Sequence, residues 1–218
     1  MKNIINYKGN DMKKNKLILF DWGNIVESYT TGYTIHDAFD DLFRECGYKD
    51  SKVYSKLSKY HLSEISSIEK FETTFIEMKK EFNLIGDFNN FINRYNYYFD
   101  KISYYKNVRD YEISLKDKCY IGILSNLTIL DKTRLDKQVG LENYDYVFLS
   151  FELGIRKPNI EIYNKVQSKI PFPKSNVLFI DDRSDNIESA QKYGWNTLQA
   201  TGLELEKIKK ICENFVKN

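Results

Sequence analysis

Four short stretches of this 218-residue chain carry side chains that could do chemistry together. Asp21 ends the apolar run Leu17-Ile18-Leu19-Phe20, and Ser125-Asn126 ends a second run, Tyr120–Leu124. Lys157 lies in Gly154-Ile155-Arg156-Lys157-Pro158. Asp181 and Asp182 end a third run, Val177–Ile180, with Asp185 shortly after. One carboxylate at the end of a strand is common. Several carboxylates, a hydroxyl and a lysine on one rim make a site. Clustered carboxylates repel one another unless a cation neutralises them. Their hard oxygens suit Mg²⁺. The lysine and hydroxyl suit a polyanion, most simply a phosphate. A carboxylate can also attack phosphorus to give an aspartyl phosphate, with lysine and metal stabilising the charge of the transferred group.

Whether these residues meet depends on the elements that carry them. Leu17–Phe20, Tyr120–Leu124, Tyr146–Leu149, Val177–Ile180 and Thr197–Gln199 read as strands. Helical stretches follow from Asp131, from an Asn159 cap to about Lys169, over about Asn186–Tyr193 with Gly194 at its end, and over Leu203–Val216. The alternation predicts an α/β fold: a three-layer α/β/α, Rossmann-like core around a parallel sheet. Ligands of such sheets bind beyond the carboxyl ends of the strands, where the four stretches fall.

Residues 34–100 break the alternation. Ile35, Phe39, Leu42, Phe43 and Cys46, then Ile68, Phe71, Phe75, Met78 and Phe82, then Phe88, Phe91, Ile92, Tyr95 and Phe99 recur at helical spacing. Ser66 and Glu69 read as a capping box for the second set, and Asp87 as the cap of the third. The expectation is an all-helical insert of about four helices at 34–105, between core segments 16–33 and 106–218. Residues 1–15 read as a lysine-rich extension, with Met12 an alternative start.

Composition excludes other classes. Hydrophobic residues at 42% and charged residues at 29% describe an ordinary folded domain. A net charge of +2 gives no electrostatic footprint for nucleic acid or an anionic membrane. No apolar run approaches the about 20 residues of a membrane span, and residues 1–15 lack a signal-peptide core, so a cytoplasmic location is expected. Cys46, Cys119 and Cys212 match no metal or disulfide spacing and read as small core residues. His36 and His61, within the insert, read as surface or packing residues.

The ordered set FDWGN, ILSN, GIRKP and FIDDRSDN resembles the four motifs of the haloacid dehalogenase superfamily, over 16–33 and about 106–218. The insert resembles that family's helical C1 cap. More narrowly, FDxGNxV with RKP and FxDDxxDNIxxA is similar to a bacterial subgroup of sugar-phosphate phosphatases related to the phosphatase domain of soluble epoxide hydrolase. The resemblance implies Asp21 as nucleophile, Ser125 as hydrogen-bond donor to the phosphoryl oxygens, and Asn126 as a substrate-positioning residue. It implies Lys157 holding Asp21 and the phosphoryl group. Mg²⁺ would be bound by Asp21, Asp182 and the backbone carbonyl of Gly23, with Asp181 in the inner or outer shell. Asp185 would orient the metal's waters or Lys157. The implied activity is hydrolysis of a small phosphorylated metabolite, a sugar phosphate foremost, through an aspartyl phosphate, by a monomer or homodimer.

One position departs from the pattern. The usual second Asp, which serves as acid and base, is here Gly23. Loss of a general acid or base typically costs about 10²–10⁴-fold. Glu27, Tyr29 and His36 are candidates to replace it. The alternatives are a phosphate-binding or regulatory protein with weak catalysis and, with less support, a 2-haloacid dehalogenase, whose reaction needs no metal.

Overall fold

The computed structural model describes residues 14–28 and 32–217. Strand β1 (Leu17–Phe20) is followed by α1 (Ile35–Glu45), α2 (Val53–Lys56), α3 (Ile68–Phe82) and α4 (Phe88–Phe99). The chain continues through α5 (Lys106–Ser114), β2 (Tyr120–Ser125), α6 (Lys132–Val139), β3 (Tyr146–Leu149), α7 (Ser150–Leu153) and α8 (Ile160–Gln167). It ends with β4 (Val177–Asp181), α9 (Ser184–Tyr193), β5 (Asn196–Gln199) and α10 (Leu205–Lys217).

The five strands form one wholly parallel sheet in the order β3-β2-β1-β4-β5. β1 and β4 are buried along their whole length, as apolar strands covered on both faces must be. Alternate side chains serve opposite faces. Ile18 and Phe20 pack with Val108, Ile208 and Cys212 of α5 and α10. Leu17 and Leu19 pack with Ile162 and Val166 of α8 and Ile187 of α9. The result is three layers. Phe20 pairs with Ile123 on one side and Ile180 on the other. The carboxyl ends of β2, β1 and β4 therefore lie side by side, where the strand order reverses.

All the helices between β1 and α5 bury one aromatic cluster, including Phe39, Phe43, Phe75, Phe91, Tyr95 and Phe99. Edge-to-face pairs such as Phe43–Phe82, 5.3 Å apart, suit the ring quadrupoles. Leu130, from beyond β2, joins this cluster. The two crossings into and out of the insert run beside each other. Glu27 is bridged to Tyr104, and the Ser28 N–H donates to the Ser103 carbonyl at 2.8 Å.

Several boundaries differ from the sequence reading. The α3 cap is Ser67, whose hydroxyl meets the Lys70 N–H, and not Ser66. Asp87 caps α4 and Asn159 caps α8. β2 and β4 each run one residue further, because Ser125 still pairs with Leu149 and Asp181 with Gln199. α5 was not read because it buries only Val108 and Glu112, and α7 because it is a single turn. α9 starts at Ser184, two residues before the expected Asn186, so Asp185 and Asn186 lie inside its first turn. The proposed start Met12, nearly all of the 1–15 extension, and Tyr29 lie outside the described residues. Among the described residues, no helix is long and apolar enough to cross a membrane.

Candidate active site

Asp21 is the first residue past β1, and its N–H donates to the Ile180 carbonyl at 2.8 Å. Three donors converge on Oδ1: the Trp22 N–H at 2.7 Å, the Ser125 hydroxyl at 2.7 Å and the Lys157 ammonium at 2.9 Å. No described bond falls on Oδ2. Lys157, 1% exposed, also donates to Asp181 Oδ2 at 2.6 Å and to the Leu124 carbonyl at 2.8 Å. Burial alone would lower its pKa, but Asp181 and Asp21 outweigh burial and hold it above the ordinary lysine value. Burial pushes the Asp21 carboxyl up to about 6, against the pull of Lys157 and with the repulsion of Asp181.

Amide side chains hold these groups in place. Asn126 bonds the main chain of Lys157 at both ends of its amide, Nδ2 to the carbonyl and Oδ1 from the N–H, each at 2.9 Å. It thereby ties the lysine's loop to the end of β2. Asn186 Nδ2 reaches both oxygens of Asp181 at 2.9 and 3.0 Å, and the Arg183 N–H adds a bond at 2.9 Å. Asp185, next along α9, instead pairs with Arg183 at 2.7 Å and accepts the Asn186 N–H at 3.0 Å. Asn24 takes a left-handed φ of 55° and donates to Asp182 at 3.0 Å. The Gly202 N–H donates to the Asn24 carbonyl at 2.8 Å. A Cβ on Gly202 would fall 2.3 Å from the Ile25 carbonyl, so only glycine lets this loop support the turn after β1.

Asp21, Asp181 and Asp182 each offer an oxygen within 4.8 Å of the others. Lys157 offsets one of the three charges. Burial pushes the Asp182 carboxyl up, with Asn24 opposing and Asp181 adding to it. Three hard oxygen donors with an excess of negative charge suit a divalent cation.

Above the rim lies a cavity of about 420 Å³. Its floor includes Asp21, Gly23, Ser125, Asn126, Lys157 and Asp182, and the insert supplies His36, Phe39, Tyr54, Leu57, Ser58 and Ser63. Of the candidates for the missing acid and base, His36 lines this cavity. Glu27 does not: it is fully buried and paired with Arg134. His61 lies at the surface beside Glu64, at 3.3 Å. Cys46, Cys119 and Cys212 are buried and free. Sequence reasoning missed the cavity residues Tyr54, Thr128, Asp131, Arg156 and Arg183. Arg156 and Arg183 sit inside two of the quoted motifs with no role assigned to them, Tyr54, Thr128 and Asp131 lie outside the motifs, and the fold brings the five to one cavity.

The family model for haloacid dehalogenase-like hydrolases matches residues 18–200. The chain belongs to this family. Drimenol cyclase of Aspergillus calidoustus is 23% identical over 83% of the chain, which spans 32% of that protein's length. A D-ribitol-5-phosphate phosphatase of Bacteroides thetaiotaomicron is 25% identical over 84% of the chain and 91% of its own length. The fold is that of a haloacid dehalogenase family enzyme from the same bacterium, crystallised with magnesium and inorganic phosphate: TM-score 0.70, 18% identity, 87% of this chain and 95% of that one. The family and these relatives, a phosphatase among them, support a hydrolase.

Proposed function

We propose that the protein is a Mg²⁺-dependent phosphatase of small phosphomonoesters, with Asp21 as nucleophile. The observation that carries this reading is the convergence of Ser125, Lys157 and a backbone N–H on a single oxygen of Asp21. They orient the carboxylate and leave Oδ2 for attack. Asp21 Oδ2 forms a bond to phosphorus as the bond to the ester oxygen breaks, and a proton goes to the departing alkoxide. Water then attacks phosphorus, and the Asp21 carboxylate and inorganic phosphate are released. Lys157 and Ser125 donate to the phosphoryl oxygens as charge builds on them. Asp21, Asp182 and the Gly23 carbonyl would hold Mg²⁺, which when bound would supply positive charge against the carboxylates and the phosphoryl group. Asp181 acts behind them, because its oxygens already serve Lys157, Asn186 and the Arg183 N–H.

Gly23 offers no proton for the leaving group. We assign that proton to His36, which lines the cavity from the insert. We read the insert as a lid that closes over the substrate and excludes water. Tyr54, Ser55, Ser58 and Ser63, each a hydroxyl-bearing residue, are among those that line the cavity. Those groups favour a polyhydroxylated substrate, such as a sugar or alditol phosphate, as does the alignment with nearly the whole length of the ribitol phosphate phosphatase.

The test is phosphate release from sugar, alditol, aryl and terpenyl phosphates, with Mg²⁺ and with a chelator. Mg²⁺-dependent turnover, fastest on polyol phosphates, is expected. Turnover independent of metal, or chloride release from 2-chloropropionate in its place, would overturn the reading.

A further inference from the structure

A second polar network lies where the insert meets the core. On α4, Tyr95 and Phe99 are one turn apart and share a face. Their rings stack at 3.8 Å with 11° between planes. The Tyr95 hydroxyl donates to Asp131 Oδ1 at 2.7 Å, and the Arg134 guanidinium lies 5.5 Å from the Phe99 ring. Arg134 also donates to Asp131 Oδ1 at 2.8 Å. Asp131 Oδ2 accepts the N–H and the hydroxyl of Thr128, each at 2.9 Å. Tyr95, Asp131 and Arg134 are 1%, 3% and 5% exposed.

We propose that Asp131 is a positioning residue: the seat on which the insert docks, through Tyr95, when it is closed over Asp21. Three of the four described bonds to its carboxylate come from the core itself, so the seat is organised before the insert arrives. The Tyr95 hydroxyl also lies 3.2 Å from the Thr128 hydroxyl, and elsewhere the Ser150 hydroxyl donates to the Ser63 carbonyl across the same boundary. Of the four bonds to Asp131, the Tyr95 bond is the one that crosses from insert to core. Lifting the insert breaks that bond and leaves the carboxylate held by Thr128 and Arg134. A hydroxyl and a carboxylate are both readily hydrated, so the contact is reversible. Buried, it is a charge-assisted bond with one geometry, which apolar packing alone does not impose.

The seat is placed to report to the site. Tyr95, Thr128 and Asp131 line the same cavity as Asp21 and Lys157. Five residues of chain separate Ser125 from Asp131, and Leu130 among them is packed into the aromatic cluster of the insert. Arg134 pairs on its other side with Glu27, which is bridged to Tyr104 where the chain returns to the core. One guanidinium thus joins the seat to the crossing between insert and core.

The test uses spin labels on cysteines placed at Ile85 of the insert and Leu203 of the core, both exposed; the native cysteines are buried. Label-to-label distances are compared in the parent, Tyr95→Phe, Asp131→Asn and the double variant. Tyr95→Phe keeps the stacked ring and removes only the hydroxyl, so it stays informative if Asp131→Asn fails to fold. Each single variant is expected to raise the longer-distance population about tenfold or more, as loss of a hydrogen bond to a charged group would. The double variant should go no further. An unchanged distribution in Tyr95→Phe, or additive effects in the double, overturns the proposal. The kinetic arm rests on the phosphatase reading. With p-nitrophenyl phosphate, Tyr95→Phe should raise KM, and the inhibition constant of inorganic phosphate by the same factor, while the midpoint of thermal unfolding falls by only about 3–6 °C, as a tenfold loss of the closed form allows. Equal constants in variant and parent would also overturn it. A parent silent on every phosphomonoester counts against the phosphatase reading alone, and the distance measurement still decides the seat.

Discussion

Two buried cations in this molecule each lie between two buried carboxylates, and they are finished differently. Around Lys157, Nζ and both oxygens of Asp181 are engaged, and Asp182 brings a further negative charge within reach. Around Arg134, Glu27 Oε2 and Arg134 Nε are buried without a partner, and burial pushes the Asp131 carboxyl up. The first network is short of positive charge, and it too keeps a buried acceptor without a partner, Asn186 Oδ1. The second has one cation for two carboxylates, with no third carboxylate beside them, and is incomplete in hydrogen bonds on both the cation and Glu27. A charge deficit at the open end of a sheet draws a cation and an anion that bridges to it. Incomplete hydrogen bonding inside an interface is tolerated where the position of two bodies, and not chemistry, is at stake.

The comparison breaks most readily at Asp21. Asp21→Asn should lower turnover by about 10⁴-fold or more, the scale seen when a nucleophile is removed. The same variant should melt no lower than the parent in metal-free buffer, because it removes one of three mutually repelling carboxylates. Retained phosphate release would end the assignment, and a lowered melting point would mean that the rim is not under charge stress.

The cations themselves come next. Lys157→Met and Arg134→Met each leave two carboxylates uncompensated, and each should lose about 3–5 kcal/mol of stability. Mg²⁺ separates them. It should restore much of the loss in Lys157→Met, where carboxylates are clustered at the cavity, and little in Arg134→Met. Calorimetry of both variants with and without Mg²⁺ reads this directly. Equal rescue would dissolve the distinction between the two networks.

The two networks also differ in how far the sequence foretold them. Asp21, Ser125, Lys157 and Asp182 sit at or just past the ends of apolar runs, and apolar runs are legible as strands. The parallel sheet follows from the alternation, and its register places these residues on one rim. Their supports were not legible. The start of α9 at Ser184 sets the rotation of the next two residues, about 100° apart on a helix. That rotation gives Asn186 to Asp181 and gives Asp185 to Arg183. A shift of one residue would exchange them. Asn126 was read toward the substrate, and its amide is committed to Lys157 because the two loops close against each other. The second network joins Glu27, Tyr95, Asp131 and Arg134 across 107 residues of chain. No local pattern records such a meeting; it follows only from how the insert packs.

A smaller effect is expected at Gly23. Gly23→Asp supplies the carboxylate whose absence sets this site apart. If leaving-group protonation limits turnover, kcat/KM for a sugar phosphate should rise up to about 10²-fold relative to an aryl phosphate, whose leaving group hardly needs a proton. An unchanged ratio in a folded variant would mean that another group, His36 in our reading, already donates. His36→Ala should then widen the gap in the parent.

Glu112 supplies the carboxylate that lacks what the other two networks have. It is fully buried in α5, accepts the Tyr144 hydroxyl at 2.6 Å on one oxygen, and has no partner on the other. Burial pushes its carboxyl from 4.5 up to about 8, against weaker opposition from Tyr144 and Arg109. The folded chain therefore keeps a proton that the unfolded chain releases at lower pH. The sign follows from linkage: stability from this group is fully present below about pH 4.5 and is lost as pH rises to about 8. The loss is on the order of a few kcal/mol at most. Asp21 and Asp131, also pushed up by burial, slope the same way. Glu112→Gln cannot ionise and keeps an oxygen for Tyr144, so its melting point should fall less than the parent's between pH 5 and 8. The two should be close at pH 5, with the variant higher at pH 8. Parallel curves would mean that Glu112 is ionised in the folded state, and that a buried carboxylate in this core needs no cation beside it.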